Sequence, residues 1–145
     1  MVISILLFFA FLVDWFKPRF ILPIKLGRIT SRYGETKGRT KPHNGIDIAP
    51  IVAGTLNEPL LASADGTVSK IAYDSENGNY IQISHALGYL TGYAHLNSYA
   101  VKIGDKVKQG QKIGIVGKTG SATGVHVHFV VKFMGKNVDP ESVIK

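Results

Sequence analysis

The chain of 145 residues contains no cysteine. This absence excludes disulfide frameworks, thiolate zinc fingers, iron–sulfur clusters and cysteine nucleophiles. A transition-metal site would therefore have to use histidine, aspartate or glutamate side chains. Acidic residues are also scarce, with 10 Asp and Glu against 17 Lys and Arg, which gives a net charge of +7. A surplus of positive charge favours polyanionic partners: nucleic acid, anionic lipid or an anionic cell wall.

Long stretches with helical periodicity are absent beyond about residue 25, as are internal repeats and low-complexity tracts. Short β-prone runs alternate there with turn residues, and the chain has 16 glycines and 6 prolines. Asp65-Gly66 and Asn77-Gly78 are both tight-turn pairs. We therefore predict an all-β domain over residues 25–145, an antiparallel β-sheet of roughly seven short strands with an open groove.

The first residues have a different composition, because residues 1–13 are apolar except for Ser4. Thirteen helical residues reach about 20 Å, short of the ~30 Å hydrocarbon core of a bilayer. No Lys or Arg precedes the run and no small-residue cleavage site follows it, which disfavours an export signal. Aromatic and basic residues at positions 15–19 are typical of interfacial anchors. We predict that residues 1–24 form a short hydrophobic helix that anchors the chain in a membrane. An export signal, or a segment buried against a virion or envelope protein, remains an alternative.

The five histidines carry the chemistry of the domain. His126 and His128 stand two residues apart in a strand-like run, so their side chains project from one face of a strand. His43 and Asp47 flank a glycine in a loop entering a strand. Two histidines and one carboxylate are a recurrent ligand set for catalytic zinc, here His43, Asp47 and one of the His126/His128 pair. The other member and His95 would act beside the metal-bound water. Solvated histidines and a turn-capping aspartate are the alternative.

Further segments occur in a characteristic order around these histidines. They are Ile29-Thr30-Ser31-Arg32-Tyr33-Gly34, His43-Asn44-Gly45-Ile46-Asp47, Asp65-Gly66-Thr67-Val68, Gly78-Asn79-Tyr80-Ile81-Gln82-Ile83, Tyr93-Ala94-His95-Leu96, His126-Val127-His128-Phe129 and Asp139-Pro140. In this order they resemble the lysostaphin-like zinc endopeptidases, which have the duplicated hybrid motif fold and cleave peptide bonds in bacterial peptidoglycan. The resemblance covers about residues 26–141. The segment from Ile51 to Glu58 is longer than the usual turn, and Val130 stands where a Glu often follows the HxHF motif.

The resemblance implies a role for each residue that matches a motif. His43, Asp47 and His128 correspond to the ligands of one zinc ion. His95 and His126 correspond to the catalytic histidines beside the bound water. All five positions are intact in this chain, and departures from the family pattern touch none of them.

Sequence proximity to these motifs suggests four further residues that line the substrate groove: Tyr33, Tyr89, Tyr93 and His85. The resemblance implies a peptidoglycan peptide as substrate, in cell-wall remodelling at the bacterial envelope or in lysis or entry by a bacteriophage virion. A non-catalytic module that binds peptidoglycan or regulates a hydrolase is the alternative function. Nucleic-acid binding is not expected, because no known motif is present and the basic residues are scattered.

Overall fold

The computed structural model describes residues 2–145, with side chains from residue 5 onward. Within this part the chain forms one α-helix, ten β-strands and two 3-10 turns. In chain order these are α1 (Val2–Phe16), β1 (Arg28–Ser31), β2 (Ile46–Ala49), β3 (Pro59–Leu61), β4 (Gly66–Asp74), β5 (Gly78–Ser84), a 3-10 turn (Ala86–Gly88), β6 (Tyr89–Tyr99), β7 (Lys106–Val107), β8 (Lys112–Val116), β9 (Val127–Phe133), β10 (Lys136–Val138) and a second 3-10 turn (Pro140–Ser142).

All ten strands belong to one sheet in which every pair of strands is antiparallel. The main path has the order β1-β2-β9-β6-β5-β4-β7, with β10 paired to β9 and β8 pairing with both β3 and β6. The all-β antiparallel fold and the preceding short helix that the sequence predicts are confirmed.

The two predicted tight turns have different outcomes. Asn77-Gly78 lies at the end of a β-hairpin, where Asp74 pairs with Gly78, whose φ is +62°. Asp65-Gly66 does not join a hairpin, since β3 pairs with β8 and β4 pairs with β5 and β7. Gly66 is instead a point of close approach: a Cβ there would overlap the carbonyl oxygen of Ser84 on β5.

Side chains alternate along β2 and β9 between the core and the open face of the sheet. The inward-facing members are fully buried: Ile46, Ile48, Val127, Phe129 and Val131. Asp47 and His128 stand between them and face the opposite, open side of the sheet. Packing in the core therefore fixes two strands whose open faces present Asp47 and His128.

The N-terminal segment divides between core and surface. Phe20 and Ile24 precede the predicted boundary at residue 25, yet both are fully buried in the core, and Phe20 forms a bridge with Ile144. The large apolar side chains of α1 from Ile5 onward are mostly exposed. In residues 2–145 no helix has the length and apolar character needed to cross a bilayer. The predicted segment 1–24 starts at Met1, which lies outside the described residues.

Candidate active site

Strand register brings the predicted ligands together. Asp47 on β2 pairs directly with His128 on β9. Directly opposed residues of an antiparallel pair have Cβ atoms about 5 Å apart on the same face. His43 lies in the loop just before β2 and is 5% exposed. Its side chain reaches the same point from the side of the loop.

The three side chains converge at one point. His43 Nε2 lies 3.0 Å from His128 Nδ1 and 3.2 Å from Asp47 Oδ1, and His128 Nδ1 lies 2.9 Å from Asp47 Oδ1. Ligand atoms placed about 2.0–2.1 Å from a tetrahedral zinc ion are about 3.3 Å apart. The observed separations are close to that edge length, so the residues present fit a zinc ion.

Contacts on the far side of each imidazole select the nitrogen that faces this point. His43 Nδ1 lies 3.0 Å from the carbonyl oxygen of Arg32, and His128 Nε2 lies 3.0 Å from Asn44 Oδ1. Both oxygens only accept, so each of these nitrogens can donate a proton to its oxygen when the other nitrogen of the ring binds a metal ion. In that state His43 Nε2 and His128 Nδ1 would direct their lone pairs, together with the Asp47 carboxylate, at one cation.

Asp47 is held by a second group on its other oxygen. The guanidinium of Arg39 donates from Nη2 to Asp47 Oδ2 at 3.1 Å and to Ser31 Oγ at 3.0 Å. Burial has the largest single effect on the pKa of Asp47 and raises it. The hydrogen bond and charge of His128, together with the charges of His43 and His126, lower the pKa by more in total, so that it lies at about 2. The carboxylate is therefore ionised at neutral pH.

His95 and His126 flank the three ligand atoms. Their rings lie 4.8 Å apart between centroids, and the His95 ring is 6.2 Å from that of His128. His126 Nε2 lies 3.9 Å from Asp47 Oδ1. His95 Nδ1 donates to the carbonyl of Thr119 at 2.9 Å, and His126 Nδ1 donates to its own loop, at the carbonyl of residue 124, at 2.9 Å. Both Nε2 atoms are thereby left without a proton in the neutral rings.

Burial keeps two of these histidines neutral. Desolvation is the first cause that lowers the pKa of His43, and the charge of His128 adds to it. Desolvation likewise lowers the pKa of His95, with the charge of His126 as the next cause. A neutral imidazole is the form that ligates a metal or accepts a proton.

An open groove runs from this cluster over the outward faces of β9, β6 and β5. Its lining includes His128, Val130 and Lys132 of β9, Gly92 of β6 and Gln82 of β5. Tyr33 lies outside it, in a separate surface hollow formed by residues 29–35. Tyr33 is therefore not among the residues that line this groove.

The structure does not bring the other three predicted groove residues into the groove as exposed side chains. Tyr93 borders it but is 1% exposed, and its hydroxyl contacts Thr91 Oγ1 and the Ser63 backbone N–H in the core. Tyr89 packs its ring in the core, and His85 is engaged by Thr91 Oγ1 at 2.7 Å. Tyr89 and Tyr93 thus belong to the hydrophobic core, and His85 is half-buried beside it.

Sequence reasoning missed the residues that hydrogen-bond to the candidate ligands. Asn44 lies inside the HxGxD motif, and its position next to His43 was the one available signal. Arg39 lies in a polar loop of residues 34–42 that has no pattern pointing to the site. Neither is a predicted ligand, yet each hydrogen-bonds to one candidate ligand: Arg39 to Asp47, and Asn44 to His128.

Comparison with known proteins gives the family. The chain is 39% identical over 127 residues to the peptidoglycan DD-endopeptidase ShyC of Vibrio cholerae, covering 83% of this chain and 28% of ShyC. Its fold is similar to that of a zinc-containing peptidase from Vibrio cholerae, with a TM-score of 0.72 and 36% identity over 83% of this chain and 39% of that one. A chain in the SpoIIQ–SpoIIIAH pore forming complex gives a TM-score of 0.78 and 28% identity, over 88% of this chain and 92% of that one.

The curated relatives are much longer than this chain, which spans between about a fifth and a third of their length, for example 28%, 32% and 21%. The match to the family itself is broad, because the profile described as Peptidase family M23 covers residues 41–140. That range includes all five histidines and Asp47. The resemblance to the lysostaphin-like peptidases is thereby confirmed, and the chain belongs to peptidase family M23.

Proposed function

We propose that this chain is a zinc-dependent endopeptidase that hydrolyses peptide bonds in bacterial peptidoglycan. The observation that carries the proposal is the convergence of His43 Nε2, Asp47 Oδ1 and His128 Nδ1 at one end of an open groove, with His95 and His126 beside them. The name of ShyC supports a bond between two D-residues of a cross-link as the target.

His43, Asp47 and His128 would hold the zinc ion. When bound, zinc supplies Lewis-acid polarisation of the scissile carbonyl and lowers the pKa of a bound water to about 7. Three protein ligands leave one position of a tetrahedral site for water or substrate, as in catalytic rather than structural zinc sites. The open groove beside the cluster gives an extended peptide access to that position.

His95 and His126 would divide the proton transfers. Each donates its Nδ1 proton to a backbone carbonyl, so each presents an unprotonated Nε2 to the site. One of them takes a proton from the attacking water, and as imidazolium it can return that proton to the leaving amine. The second, when protonated, stabilises the negative charge that develops on the carbonyl oxygen. We assign both histidines to catalysis and neither to zinc binding.

The test compares two single variants of the full chain on purified peptidoglycan sacculi. We expect His128→Ala to lose both bound zinc and cleavage, since it removes a ligand. His95→Ala should retain about one zinc per chain and still lose cleavage, because it removes a proton carrier only. Released peptides are identified by mass spectrometry, and zinc is measured by elemental analysis. Chelation should abolish wild-type cleavage and zinc should restore it.

Two results would contradict the assignment. Full cleavage by His128→Ala would exclude this zinc site from catalysis, and loss of zinc in His95→Ala would make that residue a ligand. Cleavage by the wild type that persists in a chelator that strips all zinc would exclude a zinc mechanism.

A module that binds peptidoglycan or regulates a hydrolase is the second candidate. The similarity to a chain of a pore forming complex favours it, because a domain of this fold there belongs to an assembly. The two functions differ in one outcome. A zinc-loaded wild type that binds sacculi and releases no peptide, from either Gram-negative or Gram-positive walls, would support the binding module over the peptidase.

We further propose that the chain acts at the bacterial envelope and that α1 associates with a lipid surface. The proposal rests on exposed apolar side chains along α1, among them Phe8, Phe11 and Trp15, and on the basic residues Lys17 and Arg19 that follow. Flotation with vesicles containing anionic lipid tests it. Substitution of Phe8 and Phe11 by Ser should release the chain. Unchanged flotation would remove α1 from membrane binding and favour contact with a virion or envelope protein.

A further inference from the structure

The groove beside the zinc site carries one fixed positive charge. Lys132 lies on β9 four residues after His128, so both side chains project from the same face of the strand. Four residues of a strand span about 13 Å. Lys132 therefore stands at the opposite end of the groove from the ligand cluster, on the line that an extended peptide would follow.

The charge of Lys132 is not neutralised by the protein. Across residues 5–145, no hydrogen bond or ion pair of the structure includes its ammonium group. The groove lining holds no aspartate or glutamate, and its other members are neutral polar or apolar side chains besides His128. Val130 occupies the position between Lys132 and His128, where an acidic side chain would pair with the ammonium group.

Cross-strand pairing sets which side chains surround Lys132 on the open face of the sheet. Lys132 pairs across the sheet with Leu90 of β6, and Val130 pairs with Gly92, which has no side chain. Gly92 in turn pairs with Gln82 of β5. Gln82 lines the same groove two strands from Lys132, and its amide is a second donor for an anion held between the two side chains. The arrangement suits a carboxylate, because a hydrogen bond from an ammonium group to a carboxylate is stronger than one between neutral groups.

We propose that Lys132 binds a free carboxylate of the peptide substrate and makes the enzyme selective for acidic peptides over their amidated forms. The inference rests on the proposed function, because it extends the same groove. The carboxylate lies within about four residues of the scissile bond, given the 3.3 Å rise of an extended chain. Side-chain carboxylates and the peptide's terminal carboxylate share this chemistry, and the substrates used in the test separate them.

The experiment uses the full zinc-loaded chain and three synthetic cross-linked peptides. One peptide has all its carboxylates free, one has its side-chain carboxylates amidated, and one has its terminal carboxylate amidated. We expect the kcat/KM of the wild type for the free acid to be at least about tenfold higher than its kcat/KM for one of the two amides. The amide that is cleaved more slowly identifies the carboxylate that Lys132 binds.

Variants assign that preference to one side chain. Lys132→Met should raise KM for the free acid about tenfold with little change in kcat, and it should leave the disfavoured amide unaffected. Lys132→Arg should restore most of the preference. Lys136→Met is the matched control, because it removes the same charge from β10, outside the groove lining.

Equal cleavage of all three peptides by the wild type would overturn the inference. So would a Lys132→Met variant that keeps the preference, or a Lys136→Met variant that loses it equally. Failure of the proposed function gives a different result, namely no cleavage of any peptide. Binding of the same fluorescently labelled peptides, measured by anisotropy with the chelated protein, then decides the matter: a free acid that binds no more tightly than its amides contradicts a carboxylate site at Lys132.

Discussion

Substitution of Gly117 by alanine should lower the rate of cleavage without loss of bound zinc. Gly117 follows β8 and packs against β6, and its carbonyl accepts the backbone N–H of His126 at 3.2 Å. A Cβ at this position would lie 2.5 Å from Asn97 N, 2.9 Å from Asn97 Cα and 2.9 Å from the His95 carbonyl oxygen. All three are backbone atoms of β6, so no side-chain rotation can relieve the overlap.

The size of the effect follows from these distances. Carbon–oxygen contacts are ordinarily at least about 3.3 Å, so the Gly117 segment must move from β6 by roughly 0.5–1 Å. Overpacking of this kind costs about 1–3 kcal/mol of unfolding free energy. For a chain of this length each kcal/mol lowers the melting temperature by about 4 °C, which predicts a fall of about 4–12 °C. The same movement separates His126 from His95, and a misplacement approaching 1 Å costs about 100-fold in rate.

The assay measures three quantities on Gly117→Ala: melting temperature in a chelator, zinc content and the rate of peptide release from sacculi. We expect zinc content to stay near that of the wild type, because the pairing of β2 with β9 holds Asp47 and His128 in place and His43 lies in the loop before β2. Gly124→Ala is the control, because a Cβ at Gly124 meets no heavy atom within 4 Å. Its unfolding free energy should change by less than about 0.5 kcal/mol in the destabilising direction. If Gly117→Ala melts and cleaves like Gly124→Ala, the close packing against β6 does not position His95 and His126.

Three further predictions test the surroundings of the site. Arg39→Met should weaken zinc binding about tenfold in a chelator competition, because Asp47 loses the group that orients it; unchanged affinity would contradict that role. Tyr93→Phe should lower the unfolding free energy by about 1–3 kcal/mol in urea, since the buried N–H of Ser63 loses its acceptor, while cleavage by the folded protein persists. Burial lowers the pKa of His85, so its contribution to stability is complete above about pH 6.5 and declines as the pH falls below it. The difference in unfolding free energy between wild type and His85→Gln should therefore narrow from pH 8 to pH 5.5; a constant difference would refute the assignment.

The sequence was most informative where a local rule applied. Inward-facing Val127 and Phe129, with histidine between them, could be predicted from the alternation of a strand, and both are fully buried. The hairpin at Asn77-Gly78 followed from turn chemistry alone. The pairing of β3 with β8 could not be predicted, because their partnership spans about fifty residues of sequence and no local signal reports it.

At the candidate site, too, the sequence predicted the residues in motifs but not those that tertiary packing brings there. Resemblance to a family supplied the three candidate ligands, and strand register then places Asp47 opposite His128. Proximity to the motifs did not predict how the Tyr93 side chain is oriented. It lies two residues before His95, but strand alternation turns its ring into the core, where its hydroxyl meets Ser63 and Thr91. Arg39 reaches Asp47 from a loop whose path depends on tertiary packing, so sequence pattern alone does not reveal it.

His95 itself breaks the alternation, and the site depends on that break. Ala94 pairs with His128 and shares its face, so in a regular strand His95 would point to the core side. Between the pairs Asn79–Leu96 and Ile81–Tyr93, two residues of β6 stand opposite one residue of β5, which is a β-bulge. His95 takes a φ of +67° there, a conformation that costs a non-glycine residue about 1–3 kcal/mol. Hydrogen bonds from its N–H to the Asn77 carbonyl and from its Nδ1 to a loop carbonyl offset part of that cost. This strained conformation turns one imidazole from the core towards the candidate ligands, and for that reason the alternation rule fails at His95.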